Sequence, residues 1–251
     1  MPRFFIAREQ ISDELVHVTG DDAHHIARSL RMAVGEHVTL CDDSREYDCE
    51  LISFDDDKCV TAHILSSQPL SCEPPYHVTL YQALPKGDKL DTVIQKAVEC
   101  GACCIVPFES EHCVVKMRPD AEERKTERRS RIALEAAKQC GRGRLPEVKE
   151  TVSFGQMLRQ ASEADVVLFC YEGEGTVPLK ELLTQKRTDG ALNKDHPHIA
   201  VVIGSEGGFS PREVEEARRA GFYLTGLGSR ILRTETASAF VLGCLVYEFE
   251  L

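Results

Sequence analysis

The residues best placed to do chemistry lie in two short segments of the C-terminal third. The first reads Ile199-Ala-Val-Val-Ile-Gly204-Ser-Glu-Gly-Gly-Phe-Ser210-Pro-Arg-Glu213. An apolar run gives way to glycines and then to a helix start, because Ser210 can cap, Pro211 suits the first helical position and Glu213 falls three residues past the cap. Gly204, Gly207 and Gly208 let backbone approach a ligand closely and take positive φ. The spacing is neither the lysine-bearing phosphate loop nor the G-x-G-x-x-G fingerprint, which argues against ATP and NAD. Glu206 would repel a phosphate and suits a cationic or amine-bearing ligand. A turn that needs glycine only for its geometry would read the same way.

The second segment is Leu227-Gly-Ser-Arg-Ile-Leu-Arg-Thr-Glu-Thr-Ala237. Arg230, Arg233 and Glu235 flank the apolar pair Ile231-Leu232, just before an almost uncharged helix that Thr234 or Thr236 can cap. Charges at the mouth of a buried helix are costly unless they pair or bind something. Either Arg233 pairs with Glu235, or the group serves a ligand. A third region is basic: residues 114–149 hold eleven Lys and Arg against six Asp and Glu. On the helix expected over 120–140, Arg128, Arg131, Lys138 and Arg142 fall near one stripe, and Ile132, Ala136, Ala137 and Cys140 toward the other. The stripe runs into Gly141-Arg-Gly-Arg144, a flexible arginine pair suited to phosphate or sugar contacts. A merely solvated face fits that charge run equally well.

The elements that must position these groups follow from periodicity. Beyond Pro75, apolar strands at Tyr76–Leu84, Cys103–Pro107, Val166–Cys170, Ile199–Ile203 and Tyr223–Leu227 alternate with helices, including one over Leu90–Cys100. That pattern implies a parallel sheet covered on both faces. Ligands then bind beyond the carboxyl ends of the strands, so the loops after Cys170, Ile203 and Leu227 matter most. The first 72 residues read as short β runs at Phe4–Ile6, Val16–Val18, His37–Leu40, Tyr47–Phe54 and Cys59–Leu65. Acidic turns at Asp42-Asp43-Ser44 and Asp55-Asp56-Asp57 separate several of them. A single helix, capped by Asp22, with His25, Ile26 and Leu30 on its apolar side, is expected to end at Gly35. The expectation is a small β-barrel with one helix, followed by a proline-bearing linker over residues 66–75.

Composition bounds the partners. The chain has 251 residues, 30 Lys and Arg against 41 Asp and Glu, and a formal charge of −11. A hydrophobic share of 42% is too high for disorder. The acidic total excludes indiscriminate coating of nucleic acid but not contact through one basic face. No segment reaches the roughly 18 apolar residues of a membrane span, and no signal peptide is visible. The eleven irregularly spaced cysteines read as reduced thiols, so a cytoplasmic location is expected. Cys100-Gly-Ala-Cys103 and His196-Pro-His198 have no accompanying ligands, and no metal is expected.

Together these residues resemble the RsmE family, SPOUT-superfamily methyltransferases that modify N3 of a uridine in 16S ribosomal RNA. In order, the matching segments are Pro2-Arg3-Phe4-Phe5, His24-His25-Ile26 with Leu30-Arg31, Lys86-Gly-Asp-Lys89 through Glu99-Cys-Gly101, and Glu135-Ala-Ala-Lys-Gln139-Cys-Gly-Arg142. Ile203-Gly-Ser-Glu-Gly-Gly208 and Leu227 to Ala237 complete the series. The resemblance implies a PUA-like β-barrel over residues 1–72 and a SPOUT α/β domain over 73–251 whose last part threads a deep trefoil knot. It implies S-adenosylmethionine (SAM) bound by Leu168, Ile203, Gly204, Glu206, Gly207, Leu227, Gly228, Ile231, Leu232 and Arg233. Arg233, with Glu206 beside it, is the candidate catalytic group. RNA contacts are expected from Arg3, Arg28, Arg31, Lys89, Arg142 and Arg144. The implied partners are the small ribosomal subunit and a second copy in a homodimer. The family usually carries proline where this chain has Ser205. The competing expectations are a SPOUT methyltransferase for another ribosomal or transfer RNA position, and a non-catalytic RNA-binding assembly factor.

Overall fold

The computed structural model describes residues 1–55, 58–117 and 119–251. Asp56 and Asp57 of the second acidic turn, and Arg118 of the basic stretch, lie outside that range. The chain forms two compact units, Met1–Glu73 with Ala137–Leu145, and Pro74–Ala136 with Pro146–Leu251.

The first unit contains β1 (Arg3–Phe5), β2 (Ile11–Ser12), β3 (Leu15–Thr19), α1 (Gly20–His24), β4 (His37–Cys41), β5 (Arg45–Asp55) and β6 (Cys59–Pro69). Six strands make one sheet in the order β1-β4-β5-β6-β3-β2. Only β1 and β4 pair in parallel; the other pairs are antiparallel. Alternation sets the faces: Val16 and Val18 of β3, Val38 and Leu40 of β4, and Val60 and Ala62 of β6 point into a core shared with Phe4 and Ile26. The first acidic turn is built on Asp42, which accepts from the Ser44 and Arg45 N–H groups at 2.8 and 2.7 Å and from the Tyr47 hydroxyl at 2.8 Å. Burial alone would raise its carboxyl, yet those hydrogen bonds hold it below the usual range.

The helix of this unit departs from expectation. It starts at Gly20 after Thr19, not at Asp22, and opens over His25–Ser29 into a wide π-helical turn. The Leu30 N–H bonds back five residues to the His25 carbonyl at 2.9 Å. That extra residue per turn rotates Leu30 off the apolar stripe and leaves it 42% exposed.

The second unit is a parallel sheet with β7 (His77–Ala83), α2 (Lys89–Glu99), β8 (Cys104–Glu109), α3 (Pro119–Cys140), β9 (Glu147–Val148), β10 (Val152–Ser153), α4 (Phe154–Ala161) and β11 (Val166–Cys170). There follow β12 (Val177–Pro178), α5 (Leu179–Thr188), β13 (His198–Ile203), α6 (Pro211–Arg219), β14 (Tyr223–Gly226) and α7 (Thr234–Phe249). The strand order is β10-β8-β7-β13-β11-β14-β12, with β9 also on β8. Every residue of β11 is buried, as befits a strand covered on both faces. The capping box at Ser210 forms as the sequence predicts: its hydroxyl accepts from the Glu213 N–H at 3.3 Å, and its own N–H donates to the Glu213 carboxylate at 2.9 Å. Among the described residues no helix is long and apolar enough to cross a membrane, and no disulfide joins any of the eleven cysteines.

Residues 137–145, the end of α3 and the loop after it, pack with the first unit. The expected flexible arginine pair is split: Arg144 is exposed, whereas Arg142 is held in place. Arg142 is 4% exposed, and its guanidinium grips Glu73 through Nε at 3.0 Å and Nη2 at 2.7 Å. Glu73 also accepts from the Gly143 and Arg144 N–H groups at 2.8 and 3.1 Å. Burial opposes ionisation of Glu73, but these donors hold its carboxyl below the usual range. Lys138 of the same stripe is tied to Asp22 at 2.8 Å and lies over the Phe4 ring. Cys140, expected on the packed side, is exposed.

Candidate functional site

The carboxyl ends of the central strands open onto one cleft in the second unit, about 370 Å³ in volume. Three loops bound it. Cys170 and the Tyr171-Glu172 segment come from the end of β11, Ile203 to Phe209 from the end of β13, and Leu227 to Arg233 from the end of β14. The first turn of α7 and Lys89 at the start of α2 close the rest. Beneath the floor, the Gln82 amide donates to the Thr234 hydroxyl at 2.9 Å, and Thr234 donates to the Gly204 carbonyl at 2.6 Å. Thr234 thus ties two loops together; Arg233 occupies the cap position of α7, where the sequence suggested a threonine. Two polar atoms in this layer, Ser205 Oγ and Gln82 Oε1, are buried without a partner.

The glycines do distinct jobs. Gly208 has φ of +62°, and its N–H closes a tight turn onto the Ser205 carbonyl at 2.9 Å. A Cβ on Gly204 would lie 3.1 Å from the Phe209 ring, so that residue is small because the turn folds onto it. Gly207 is not among the residues that line the cleft. Its carbonyl meets His112 Nδ1 at 2.8 Å, and a Cβ there would strike the His112 Cβ at 2.9 Å.

Charge is organised around Lys89. Its ammonium donates to Glu206 at 2.8 Å and stands 3.6 Å from Glu235. Glu206 also accepts from the Lys86 N–H at 3.2 Å. Burial would raise the Glu206 carboxyl, but the Lys89 and Lys86 donors hold it below the usual range. The hydrogen bond to Glu206 in turn raises Lys89. Arg230 and Arg233 line the cleft and are exposed, and their guanidinium groups have no hydrogen bond or ion pair among the described residues. Glu235 therefore pairs with Lys89 and not with Arg233. Cys170 is buried, which pushes its thiol up and keeps it neutral.

Of the residues anticipated for a cofactor, Ile203, Gly204, Glu206, Leu227, Gly228, Ile231, Leu232 and Arg233 meet in this cleft. Leu168 lies inside β11, fully buried, below the cleft surface. Tyr171 and Glu172 line it although the sequence reading did not single them out; their position directly after an all-apolar strand was the available signal. Lys89, anticipated for RNA, belongs to the cleft. Arg3 is bound to Glu46 at 3.0 Å and to the Cys41 sulfur at 2.9 Å. Arg144 is exposed with its Nε on the Asp43 carbonyl at 2.7 Å, and Arg28 and Arg31 are exposed on the first unit.

A model of the RNA methyltransferase domain matches residues 72–246, and one of the RNA methyltransferase PUA domain matches residues 18–62. The chain is 34% identical to ribosomal RNA small subunit methyltransferase E of Bacillus subtilis, covering 100% of this chain and 98% of that protein. The chain belongs to this methyltransferase family. Another member, from Synechocystis, is 31% identical over 96% of this chain and 75% of its own length. A crystal structure of the Neisseria gonorrhoeae family member bound to S-adenosyl methionine superposes with a TM-score of 0.83 at 27% identity, covering 99% of this chain and 98% of that one. The PUA-domain match falls within the first unit, and the methyltransferase-domain match covers most of the second unit together with residues 137–145 of the first.

Proposed function

We propose that this protein transfers the methyl group of SAM to N3 of a uridine in small-subunit ribosomal RNA. The observation that carries the reading is the cleft: three loops, each following a parallel strand, meet around glycine backbone and unpaired guanidinium groups in a chain of this family. A volume of about 370 Å³ falls within the roughly 300–1,000 Å³ usual for small-molecule sites. The residues present suit SAM. Gly204, Gly208 and Gly228 leave backbone bare, Ile203, Leu227 and Leu232 offer apolar walls, and both signs of charge are at hand for a zwitterion. The same reading places these loops in a trefoil knot, makes the first unit a PUA-like barrel, and has the protein act as a cytoplasmic homodimer. The convergence of three loops and the family's architecture support it.

The cofactor, when bound, supplies an already activated methyl group, so the protein's work is to orient, exclude water and manage charge. Base pairing hides N3, so the target uridine is presented unpaired. As its proton passes to water, negative charge grows on the flanking carbonyl oxygens. Arg233, exposed at the cleft rim and unpaired, stabilises that charge, and Arg230 holds phosphate beside it. Glu206, its oxygens occupied by Lys86 and Lys89, is a latch between the β13 loop and the start of α2. Labelled methyl transfer to small subunits, followed by mapping of modified uridines, tests the reading: wild type yields N3-methyluridine at one position and Arg233→Ala loses it with cofactor affinity retained. Methylation of transfer RNA alone, or of none, refutes it.

A further inference from the structure

Of the carboxylates around the cleft, Glu206 is held by Lys86 and Lys89, and Glu235 stands beside the same ammonium. Glu172 is different. It lines the cleft two residues beyond β11, and it has neither hydrogen bond nor ion pair among the described residues. Most exposed carboxylates are merely solvated, but this one is seated on the glycine turn. Its Oε1 lies 3.0 Å from where a Cβ of Gly208 would stand. Gly208 is also at positive φ, which favours a bare residue there, and the carboxylate rests directly above it. The free charges of the cleft are thus divided between loops, with a carboxylate on the β11 loop and the guanidiniums of Arg230 and Arg233 on the β14 loop.

We propose that Glu172 is the counter-charge for the cationic centre of the cofactor and makes the cleft prefer the methyl donor over its demethylated product. The inference rests on the cofactor reading above. Loss of the methyl group converts a sulfonium into a neutral thioether and removes one positive charge, while the rest of the molecule is unchanged. A fixed carboxylate nearby therefore favours the donor and releases the product. Coulomb's law for unit charges about 6 Å apart gives roughly threefold in water and about a hundredfold at an effective dielectric near 20. An open cleft lies between these limits, so the expected preference is about tenfold. No other free carboxylate lines this cleft among the described residues.

Calorimetric binding to the full-length protein tests this with three ligands: SAM, S-adenosylhomocysteine, and an analogue bearing a protonated amine in place of the sulfonium. Glu172→Gln is expected to weaken SAM and the amine analogue about tenfold and to leave S-adenosylhomocysteine within about twofold. Glu172→Asp, which keeps the charge, retains the preference for SAM. Equal weakening of all three ligands by Glu172→Gln overturns the proposal in favour of a packing role, and unchanged SAM binding overturns it outright. Should the wild-type protein bind none of them, the cofactor reading itself falls and this inference with it.

Discussion

Arg142→Ala separates a structural arginine from an RNA-binding one. The side chains of Arg142 and Glu73 are only 5% and 10% exposed, so the pair is held in low dielectric and little screened by salt. Truncating one partner of a buried pair costs about 3–5 kcal/mol, because the other charge is left buried without compensation. Glu73 retains the Gly143 and Arg144 N–H groups, which places the expected loss near the lower end, about 3 kcal/mol. Urea unfolding followed by circular dichroism, at constant m value, measures it. The pH dependence has a definite sign. The carboxyl of Glu73 is held below its usual range in the folded protein, so its contribution is present above the unfolded value of about 4.3 and is lost as pH falls through the folded value. The gap between wild type and variant therefore narrows in acid. A variant within about 1 kcal/mol of wild type, the range of an exposed pair, would refute this reasoning, above all if it bound ribosomal RNA more weakly.

Three further outcomes are expected. Gly208→Ala forces a side chain into positive φ beneath Glu172; it should cost about 1–2 kcal/mol of stability and weaken SAM binding by calorimetry, whereas Gly228→Ala, with open space around it, carries only the backbone cost. Lys89→Met removes the donor that holds Glu206 low. The carboxyl carbon of Glu206 should then titrate at higher pH by NMR, and the loss of stability that accompanies its protonation as pH falls should shrink. Ser210→Ala deletes a buried cap whose hydroxyl also donates to Glu111 at 2.8 Å. Chemical denaturation should show a loss of about 1 kcal/mol with cofactor affinity unchanged.

Strands were legible because their signal is local. The alternation of Val16 with Val18 and the unbroken apolar run of Val166 to Cys170 each fix an exposure pattern that the fold reproduces. The capping box at Ser210 is local in the same way. What the sequence concealed depends on geometry or on distant partners. A wide turn after His24 moves Leu30 to the surface, and no propensity distinguishes that turn from an ordinary helix. Three glycines between Ile203 and Phe209 look alike in the chain, but only their backbone angles and neighbours show that Gly207 meets His112 while Gly208 carries Glu172.

Charge shows the limit most plainly. The excess of cations over residues 114–149 suggested an RNA-binding face, because a count of charges treats each as free. Among the described residues six of those cations are ion-paired: Lys116 with Glu109, Arg128 with Asp91, Arg129 with Glu122, Lys138 with Asp22, Arg142 with Glu73 and Lys149 with Glu147. Two of the carboxylates, Asp22 and Glu73, lie far away in sequence, in the acidic first unit. The acidity of that unit and the basicity of this stretch are therefore partly two halves of one set of ion pairs. Arg230 and Arg233, by contrast, stand in a loop that no charge run marks, and they are the unpaired guanidiniums of the cleft. A cation tied to a carboxylate must break that bond before it can hold a phosphate, so availability, more than number, selects the groups that face RNA.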